Sequence, residues 1–288
     1  MSAAQTDAKA PLASGLYVVS TPIGNLRDIT LRALDVLRAV DVVLCEDTRV
    51  GGRLLSAHGI SAKLERYDEH AAARARPQVL DRLAKGARIA LTSDAGTPLI
   101  SDPGYRLVRE AAELGVSVFP VPGASASLAA LAVGGLPTDR FLFAGFAPPK
   151  RAARRTFFEE VANVPATLVF YETGPRLAAS LADMAAIFGA RDAVVARELT
   201  KLYETVVRGR LDTLAADPAL AAPRGEIVVL VGAPNAAPPA TEADADAALL
   251  EALQRLSPAA AAGEVARALG LPRRALYTRA LELKGRGG

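Results

Sequence analysis

Short apolar runs alternate with helical patterns along the first half of the chain. "LYVVST" at 16–21 is typical of a buried strand, and apolar side chains recur at helical spacing through 26–40. The same order of strand, loop and helix repeats after strand candidates at 41–47, 87–94 and 116–123. This repetition predicts a parallel sheet that is covered by helices on both faces.

The second half of the chain spaces its strand candidates differently. Two of them, 140–146 and 166–173, are each followed by a helical pattern. Three more lie close together, at 192–200, 203–210 and 225–233. Since these leave little room for crossover helices, we expect this sheet to be partly antiparallel. The fold class predicted is therefore α/β with two domains, a parallel-sheet N-domain and a mixed-sheet second domain, which meet near 136–140.

The C-terminal part of the chain is helical by pattern. Ser257 and Pro258 provide a cap and a first helical residue, Gly270 ends that helix, and Pro272 opens a basic one. Helix, glycine turn and basic helix outline a helix-turn-helix, although a small helical cap or a dimer clasp fits equally well. The predicted organisation is a disordered lead-in at 1–14, domains at 15–138 and 139–233, a linker at 234–246 and a helical extension at 247–288.

Composition narrows the class of protein. The chain has 288 residues, of which 51% are hydrophobic, so it is long enough for two folded domains. Its single cysteine, Cys45, favours a reducing compartment, and its N-terminus lacks the basic-then-apolar pattern of a secretion signal. The most apolar stretch, 118–136, is interrupted by proline and glycine. We therefore predict a cytoplasmic protein with no membrane span.

Basic residues are concentrated in two segments. The formal net charge is +3, and "PKRAARR" at 149–155 carries four of the cations. The tail from Arg273 carries several more. Each cluster taken alone can serve solubility, but the pair also fits an anionic partner such as nucleic acid.

Several common enzyme motifs are missing from the sequence. No G-x-G-x-x-G follows a strand candidate, and no G-x-x-x-x-G-K-[ST] occurs, which argues against a dinucleotide-binding Rossmann protein and a P-loop NTPase. The two histidines, His58 and His70, have no partner at ligand spacing. We therefore predict no metal site and no Ser-His-Asp catalysis.

Six loops that follow strand candidates carry polar, glycine and proline residues. In α/β proteins the carboxyl ends of the strands form the edge at which ligands bind. Six loops of this composition therefore predict one ligand site. The loops are 20–28, 45–49, 91–104, 121–127, 170–176 and 196–204.

These loops resemble those of a known family. "STPIGNLRDITLRAL", "CEDTR", "TSDAGTPLISDPG", "PGASA", "FLFAGFAPPK", "FYETGPR" and "RELTKLYE" are similar to motifs of the tetrapyrrole-methylase-like (class III) S-adenosylmethionine-dependent methyltransferases. The resemblance covers about residues 15–233 and is strongest to members that modify ribosomal RNA. It implies S-adenosylmethionine bound in a cleft between two α/β domains, a homodimer, and methylation of a cytidine ribose 2′-oxygen in small-subunit (16S) rRNA. The substrate is then free rRNA or the assembled 30S particle.

The resemblance also implies which residues hold the cofactor. Asp94 is the principal candidate, because its carboxylate can accept hydrogen bonds from the cofactor, although an Asx-turn is the simpler structural role. Asp102 is expected instead to cap the helix at 104–115. The full cofactor-binding set predicted is Pro22, Gly24, Asp94, Ala95, Gly96, Thr97, Pro122, Gly123, Ser125, Ala126, Tyr171 and Leu199.

A second group of residues is expected on the substrate side. Arg49 is suited to a phosphate, and Asp47 or Lys201 to orienting or deprotonating the hydroxyl, although Asp47 and Arg49 also suit a loop-fixing ion pair. Contacts with the RNA backbone are predicted for Lys150, Arg151, Arg154, Arg155, Arg273 and Arg274.

Two other functions remain open from the sequence. An enzyme of the same fold that methylates a tetrapyrrole, a precorrin or another small molecule would need neither basic segment. A non-catalytic nucleic-acid-binding protein would use the helical tail but would leave the six decorated loops without a role.

Overall fold

The computed structural model describes residues 12–234 and 241–286. The predicted lead-in up to residue 11, residues 235–240 of the predicted linker and residues 287–288 lie outside the described residues. By internal contacts the chain divides into two compact units, Met1–Pro234 and Asn235–Gly288. No helix in the described parts is long and apolar enough to cross a membrane.

The first half of the large unit contains a five-stranded sheet in the order β3-β2-β4-β1-β5, with every pair parallel. Its strands are β1 (Gly15–Val19), β2 (Val42–Cys45), β3 (Leu64–Arg66), β4 (Arg88–Leu91) and β5 (Val118–Val121). The helices that connect them are α1 (Leu31–Ala39), α2 (Thr48–Ala57), α3 (Glu69–Ala84) and α4 (Tyr105–Glu113). One face of the sheet packs on α1 and α2, and the other on α3 and α4.

The second half contains a mixed sheet in the order β6-β7-β10-β8-β9. Its strands are β6 (Phe141–Phe146), β7 (Thr167–Thr173), β8 (Asp192–Arg197), β9 (Thr205–Arg210) and β10 (Glu226–Val231). Only β6 and β7 pair in parallel, so the predicted α/β class with a parallel and a mixed sheet is confirmed. Helices α6 (Arg151–Val161), α7 (Gly174–Phe188) and α8 (Leu211–Ala215) pack on one face.

Helix α5 (Ala126–Gly134) follows the first sheet in the chain but packs on the second. Its buried side chains Ala130 and Leu131 contact the opposite face of the mixed sheet from α6–α8. A Cβ built on Gly134 would lie 2.6 Å from a methyl carbon of Leu230, so only glycine allows this close approach. Through this helix the two sheets share one packed unit.

One local expectation was wrong, and one segment had no prediction. The pattern at 26–40 is not one helix: a 3-10 turn at Leu26–Asp28 precedes α1, whose N-cap is Thr30, with its hydroxyl accepting from the Ala33 amide. No element was predicted for 60–86, where the structure has β3 and α3. A three-residue strand and an alanine- and arginine-rich helix containing Pro77 give little periodic signal.

Where the structure describes it, the small unit has three helices around its own apolar core: α9 (Glu242–Leu253), α10 (Pro258–Leu269) and α11 (Arg273–Arg286). Helix α9 begins within the predicted linker at 234–246, because Thr241 caps it, so that linker boundary was wrong. Ser257 caps α10, Pro258 is its first residue, and Gly270 ends it in the left-handed conformation. These three predictions are therefore confirmed.

Candidate active site in the cleft between the two sheets

A cavity of about 320 Å³ lies where the carboxyl ends of strands from both sheets face each other. Its volume is in the range of small-molecule sites. All six loops predicted from the sequence contribute to its lining, together with the end of β6 and the start of β10. The lining residues are Ile23, Glu46, Asp94, Ala95, Gly96, Thr97, Ile100, Ser101, Asp102, Ser125, Ala126, Phe146, Tyr171, Glu172, Thr173, Ala196, Leu199, Glu226, Ile227 and Val228.

Hydrogen bonds tie the loops of the first sheet together beneath the cavity. The amides and carbonyls of Thr21 and Gly96 exchange two bonds of 2.8 and 3.1 Å. The Thr97 hydroxyl lies 3.0 Å from that of Ser20 and donates to the Ala124 carbonyl at 3.2 Å. These hydrogen bonds therefore hold the loops at 20–28, 91–104 and 121–127 together.

Backbone strain is concentrated in two loops that line the cavity. In the described residues the non-glycine residues with positive φ are Leu99, Ser101, Glu198 and Thr200. Each pair brackets a lining residue, Ile100 in one loop and Leu199 in the other. Left-handed backbone at non-glycine residues is costly and is found most often at functional sites.

Eight of the predicted cofactor-binding residues line this cavity: Asp94, Ala95, Gly96, Thr97, Ser125, Ala126, Tyr171 and Leu199. Four do not, namely Pro22, Gly24, Pro122 and Gly123. A Cβ on Gly24 would lie 2.3 Å from Cγ of Lys201, and one on Gly123 would lie 2.9 Å from Cβ of Ser20. These two glycines therefore make room for neighbouring side chains.

Asp47 and Arg49 form the loop-fixing pair that was the simpler alternative. Asp47 is the N-cap of α2, and its carboxylate accepts from the Arg49 amide at 2.8 Å and from the Arg49 guanidinium at 2.6 Å. Hydrogen bonds from Arg49 hold the pKa of Asp47 well below its usual range. The side chain of Arg49 is 88% exposed, so its outer face remains open to solvent.

Lys201 also forms ion pairs within the protein. Its ammonium donates to Glu198 at 2.8 Å and to Glu226 at 2.7 Å, which ties the β8–β9 loop to the start of β10. Burial opposes the charged form, but the bonds to the two carboxylates outweigh it and raise the pKa of Lys201. Lys201 is therefore a cation at neutral pH and lacks the free amine that a base requires.

Asp102 does not cap a helix. Helix α4 begins at Tyr105 with Gly104 as its N-cap and has no side-chain cap bond. The expected capping role is therefore wrong, and Asp102 faces the cavity instead. Burial, followed by the nearby charge of Asp94, raises the pKa of Asp102 to about 6, against a hydrogen bond from Ser93 that lowers it.

Glu46, which was not among the predicted site residues, also faces the cavity. Burial raises its pKa to about 7, with further contributions from the charges of Asp102 and Asp94. The "CEDTR" motif contains Glu46, but the sequence alone does not show which of two adjacent acids faces the ligand. In the described residues no group of His, Cys, Asp and Glu side chains is arranged to hold a metal ion.

The cations of the basic segment at 149–155 differ in burial. Arg154 is buried and donates to Asp183 at 2.6 and 2.9 Å, which joins α6 to α7. This burial removes Arg154 from the predicted RNA-contacting set. Lys150 is exposed. Arg151 is 78% exposed and Arg155 is 36% exposed, although each lies 3.4 Å from Asp183.

The basic helix of the small unit keeps its predicted cations at the surface. Arg274 is exposed, and Arg273 is exposed although it donates to the Ala259 carbonyl at 3.4 Å. Arg279 instead pairs with Asp246, which ties α11 to α9. Arg273 and Arg274 are therefore free to contact an anionic partner.

Sequence comparison finds similarity over nearly the whole chain. Residues 15–215 match the family model of the tetrapyrrole (corrin/porphyrin) methylases, and residues 239–284 match that of the RsmI C-terminal HTH domain. A Mesorhizobium japonicum protein named ribosomal RNA small subunit methyltransferase I is 51% identical, over 96% of this chain and 95% of that protein. A protein of the same name from Erythrobacter litoralis is 54% identical, over 95% and 97%.

Two solved structures share the fold. Diphthine synthase superposes with a TM-score of 0.59 at 17% identity, covering 75% of this chain and 89% of that one. The cobalamin biosynthetic enzyme cobalt precorrin-4 methyltransferase has a TM-score of 0.54 at 20% identity, covering 75% and 94%. At these identities the likeness concerns the fold alone.

Proposed function

The chain belongs to the tetrapyrrole (corrin/porphyrin) methylase family, and from this premise we propose that it methylates small-subunit ribosomal RNA with S-adenosylmethionine as donor. One observation carries the proposal: its relatives named for that activity match it from the first sheet through the C-terminal helices. The nucleoside we propose is a cytidine, methylated at its ribose 2′-oxygen.

The residues of the cavity fit the cofactor. Apolar side chains of Ile23, Leu199 and Val228 suit the flat faces of an adenine ring. Asp94 is suited to accept from the cofactor's amino or hydroxyl groups. When bound, the cofactor supplies a methyl group made electrophilic by a positively charged sulfur.

The RNA is proposed to contact exposed cations on both units. Arg151 and Arg155 lie on α6, which follows the cavity residue Phe146, and Arg273 and Arg274 lie on α11. Arg49, exposed next to the cavity residue Glu46, is suited to a phosphate at the cleft. We further propose that the protein is cytoplasmic and forms a homodimer. Sedimentation of the purified chain would test the dimer.

The function is tested by methyl transfer in vitro. Purified protein with methyl-labelled S-adenosylmethionine is expected to label small ribosomal subunits or their rRNA, and mapping should place the label on a ribose 2′-oxygen. A tetrapyrrole precursor is the competing substrate. Labelling of the precursor instead of RNA would reject the proposal in favour of small-molecule methylation.

Replacement of Asp94 by alanine tests the cofactor assignment. Loss of a charged hydrogen-bond acceptor is expected to weaken S-adenosylmethionine binding by roughly 10- to 100-fold, measured by isothermal titration calorimetry. Asp94 also accepts from the Asp47 amide at 3.0 Å, so circular dichroism must show that the variant is folded. A folded variant with unchanged affinity would contradict the role of Asp94.

A further inference from the structure

Five carboxylates line the cavity, and they differ in what neutralises them. Glu172 is buried and accepts from Ser180 and from the Thr173 amide, with Arg176 at 3.3 Å. Glu226 accepts from Lys201. In contrast, no cation acts on Glu46 or Asp102 among the described residues, and Asp94 interacts only through its charge with Arg49.

Among these three acids, Glu46 is the least engaged. One oxygen of Asp94 accepts from the Asp47 amide at 3.0 Å, and Asp102 accepts from Ser93. Glu46 accepts only a long bond of 3.4 Å from the Asp94 amide. Its carboxylate is therefore the one with the most free capacity to accept a proton or hydrogen bond from a bound molecule.

The other titratable groups near the cleft are poor proton acceptors at neutral pH. The oxygens of Asp47 are taken up by Arg49, and its lowered pKa makes it a weak base. Lys201 is held protonated by Glu198 and Glu226. Burial raises the pKa of Tyr171, so its hydroxyl also stays protonated.

We propose, on the basis of the function proposed above, that Glu46 accepts the proton of the attacking ribose hydroxyl and that Asp102 tunes its basicity. The hydroxyl oxygen forms a bond to the methyl carbon, and the carbon–sulfur bond breaks with its electron pair moving to sulfur. The hydroxyl proton passes to a carboxylate oxygen of Glu46, which then releases it to solvent.

The electrostatic surroundings of Glu46 support this role. Burial and the neighbouring acids raise its pKa to about 7, where a general base is most effective at neutral pH. Because the charge of Asp102 acts on Glu46, the ionisation of Asp102 shifts the pKa of Glu46. The charges that act on Glu46 are those of Asp102, Asp94 and Asp68. Cys45 and Asp47 adjoin it in sequence, and Arg49 pairs with Asp47. Tyr171, Glu172 and Glu226 line the same cavity from the second sheet, with Arg176 paired to Glu172 and Lys201 to Glu226.

The test compares Glu46→Gln with Glu113→Gln, an exposed acid at the end of α4 that loses the same charge. In full-length protein with assembled small subunits as substrate, Glu46→Gln is expected to lower kcat by about 10²–10⁴-fold. Its affinity for S-adenosylmethionine, measured by calorimetry, should stay within about threefold of wild type, and Glu113→Gln should match wild type in both.

Asp102→Asn supplies a readout that does not depend on turnover. Removing this negative charge is expected to lower the apparent pKa of Glu46, followed by carbon-13 NMR of its carboxyl group. The acidic limb of the profile of kcat/KM against pH should move to lower pH by the same amount. Glu46→Asp, which keeps a carboxylate, should recover part of the lost activity.

The outcomes separate the two proposals. Wild-type protein that neither binds S-adenosylmethionine nor methylates rRNA would reject the proposed function. If wild type is active but Glu46→Gln retains its kcat, the role of Glu46 is rejected and the function stands. A loss of cofactor affinity that accounts for the whole activity loss would make Glu46 a cofactor ligand and would also overturn the inference.

Discussion

At the scale of single residues, Glu46 and Asp47 are consecutive acids with opposite surroundings. Asp47 turns back to cap α2 and to hold Arg49, so its charge is stabilised. Glu46 turns into the cavity among other acids, so its charge is opposed. The direction of each side chain at the end of this strand therefore determines its role: Asp47 stabilises a helix, and Glu46 is available to a molecule in the cavity.

Asp102→Asn is expected to stabilise the protein above pH 6. The pKa of Asp102 is raised to about 6 from an ordinary value of 3.8, so between these values the folded state holds a proton that the unfolded chain has lost. Stability therefore falls as pH rises through this window. Because Asp102 is partly solvated, we expect a gain of only about 1 kcal/mol at pH 8 that disappears near pH 4.

Urea denaturation at several pH values measures this difference. Asp35→Asn is the control, since its side chain is 67% exposed and its removal should change stability by less than about 0.5 kcal/mol at any pH. A loss of stability in Asp102→Asn at pH 8 would restore a structural role for this carboxylate.

At the scale of secondary structure, α6 presents different arginines on different faces. Arg154 is buried against Asp183 of α7 at 2.6 Å, while Arg151 is 78% exposed and reaches the same carboxylate only at 3.4 Å. Burial opposes the charged form of Asp183, but the bonds from Arg154 outweigh it and lower its pKa. The arginines of α6 are thus adjacent in sequence but serve two roles: one packs the helix against α7, and the others remain at the surface.

Arg154→Ala and Arg151→Ala should separate these two roles. Loss of Arg154 removes the buried partner of Asp183 and leaves only Arg151 and Arg155 at 3.4 Å, so it is expected to cost about 3 kcal/mol of unfolding free energy, the low end for a broken buried pair. Loss of Arg151 should cost less than about 0.5 kcal/mol but should weaken rRNA binding. Denaturation and filter binding measure the two effects, and equal stability losses would show that the burial of Arg154 is not decisive.

At the scale of the whole molecule, the cleft is formed by two sheets that follow one another in the chain. Six loops reach one cavity, because strand ends of both sheets converge there. Four belong to crossover connections, one to the connection through α5 between the sheets, and one to a hairpin. Helix α5 packs against the second sheet and thereby joins the two halves. The small unit Asn235–Gly288 has its own core and carries further exposed cations.

Arg273 and Arg274 are expected to contribute to RNA affinity without affecting the cofactor. Replacing both by glutamine should reduce the slope of log affinity against log salt by the amount that about two phosphate contacts contribute, since each phosphate contact releases counterions. Cofactor affinity should not change. Binding measured between about 50 and 200 mM salt tests this in the full-length chain.

An unchanged salt slope in this double variant would assign α11 to packing or to dimer contacts. These are the alternatives that the sequence left open for the helical extension. The matched control is Arg255→Gln, whose guanidinium is already paired with Glu264 within the same unit.

The fold class, the six loops that line the cavity and the order of strands and helices other than β3 and α3 follow from the sequence by itself. They depend on local properties: apolar periodicity, glycine and proline at turns, and polar residues at strand ends. The tertiary structure alone decided which of Glu46, Asp47 and Asp102 faces the cavity, and which of the α6 arginines is buried. Those roles depend on side-chain direction and on charges contributed by residues distant in sequence, and neither property is encoded in a local pattern.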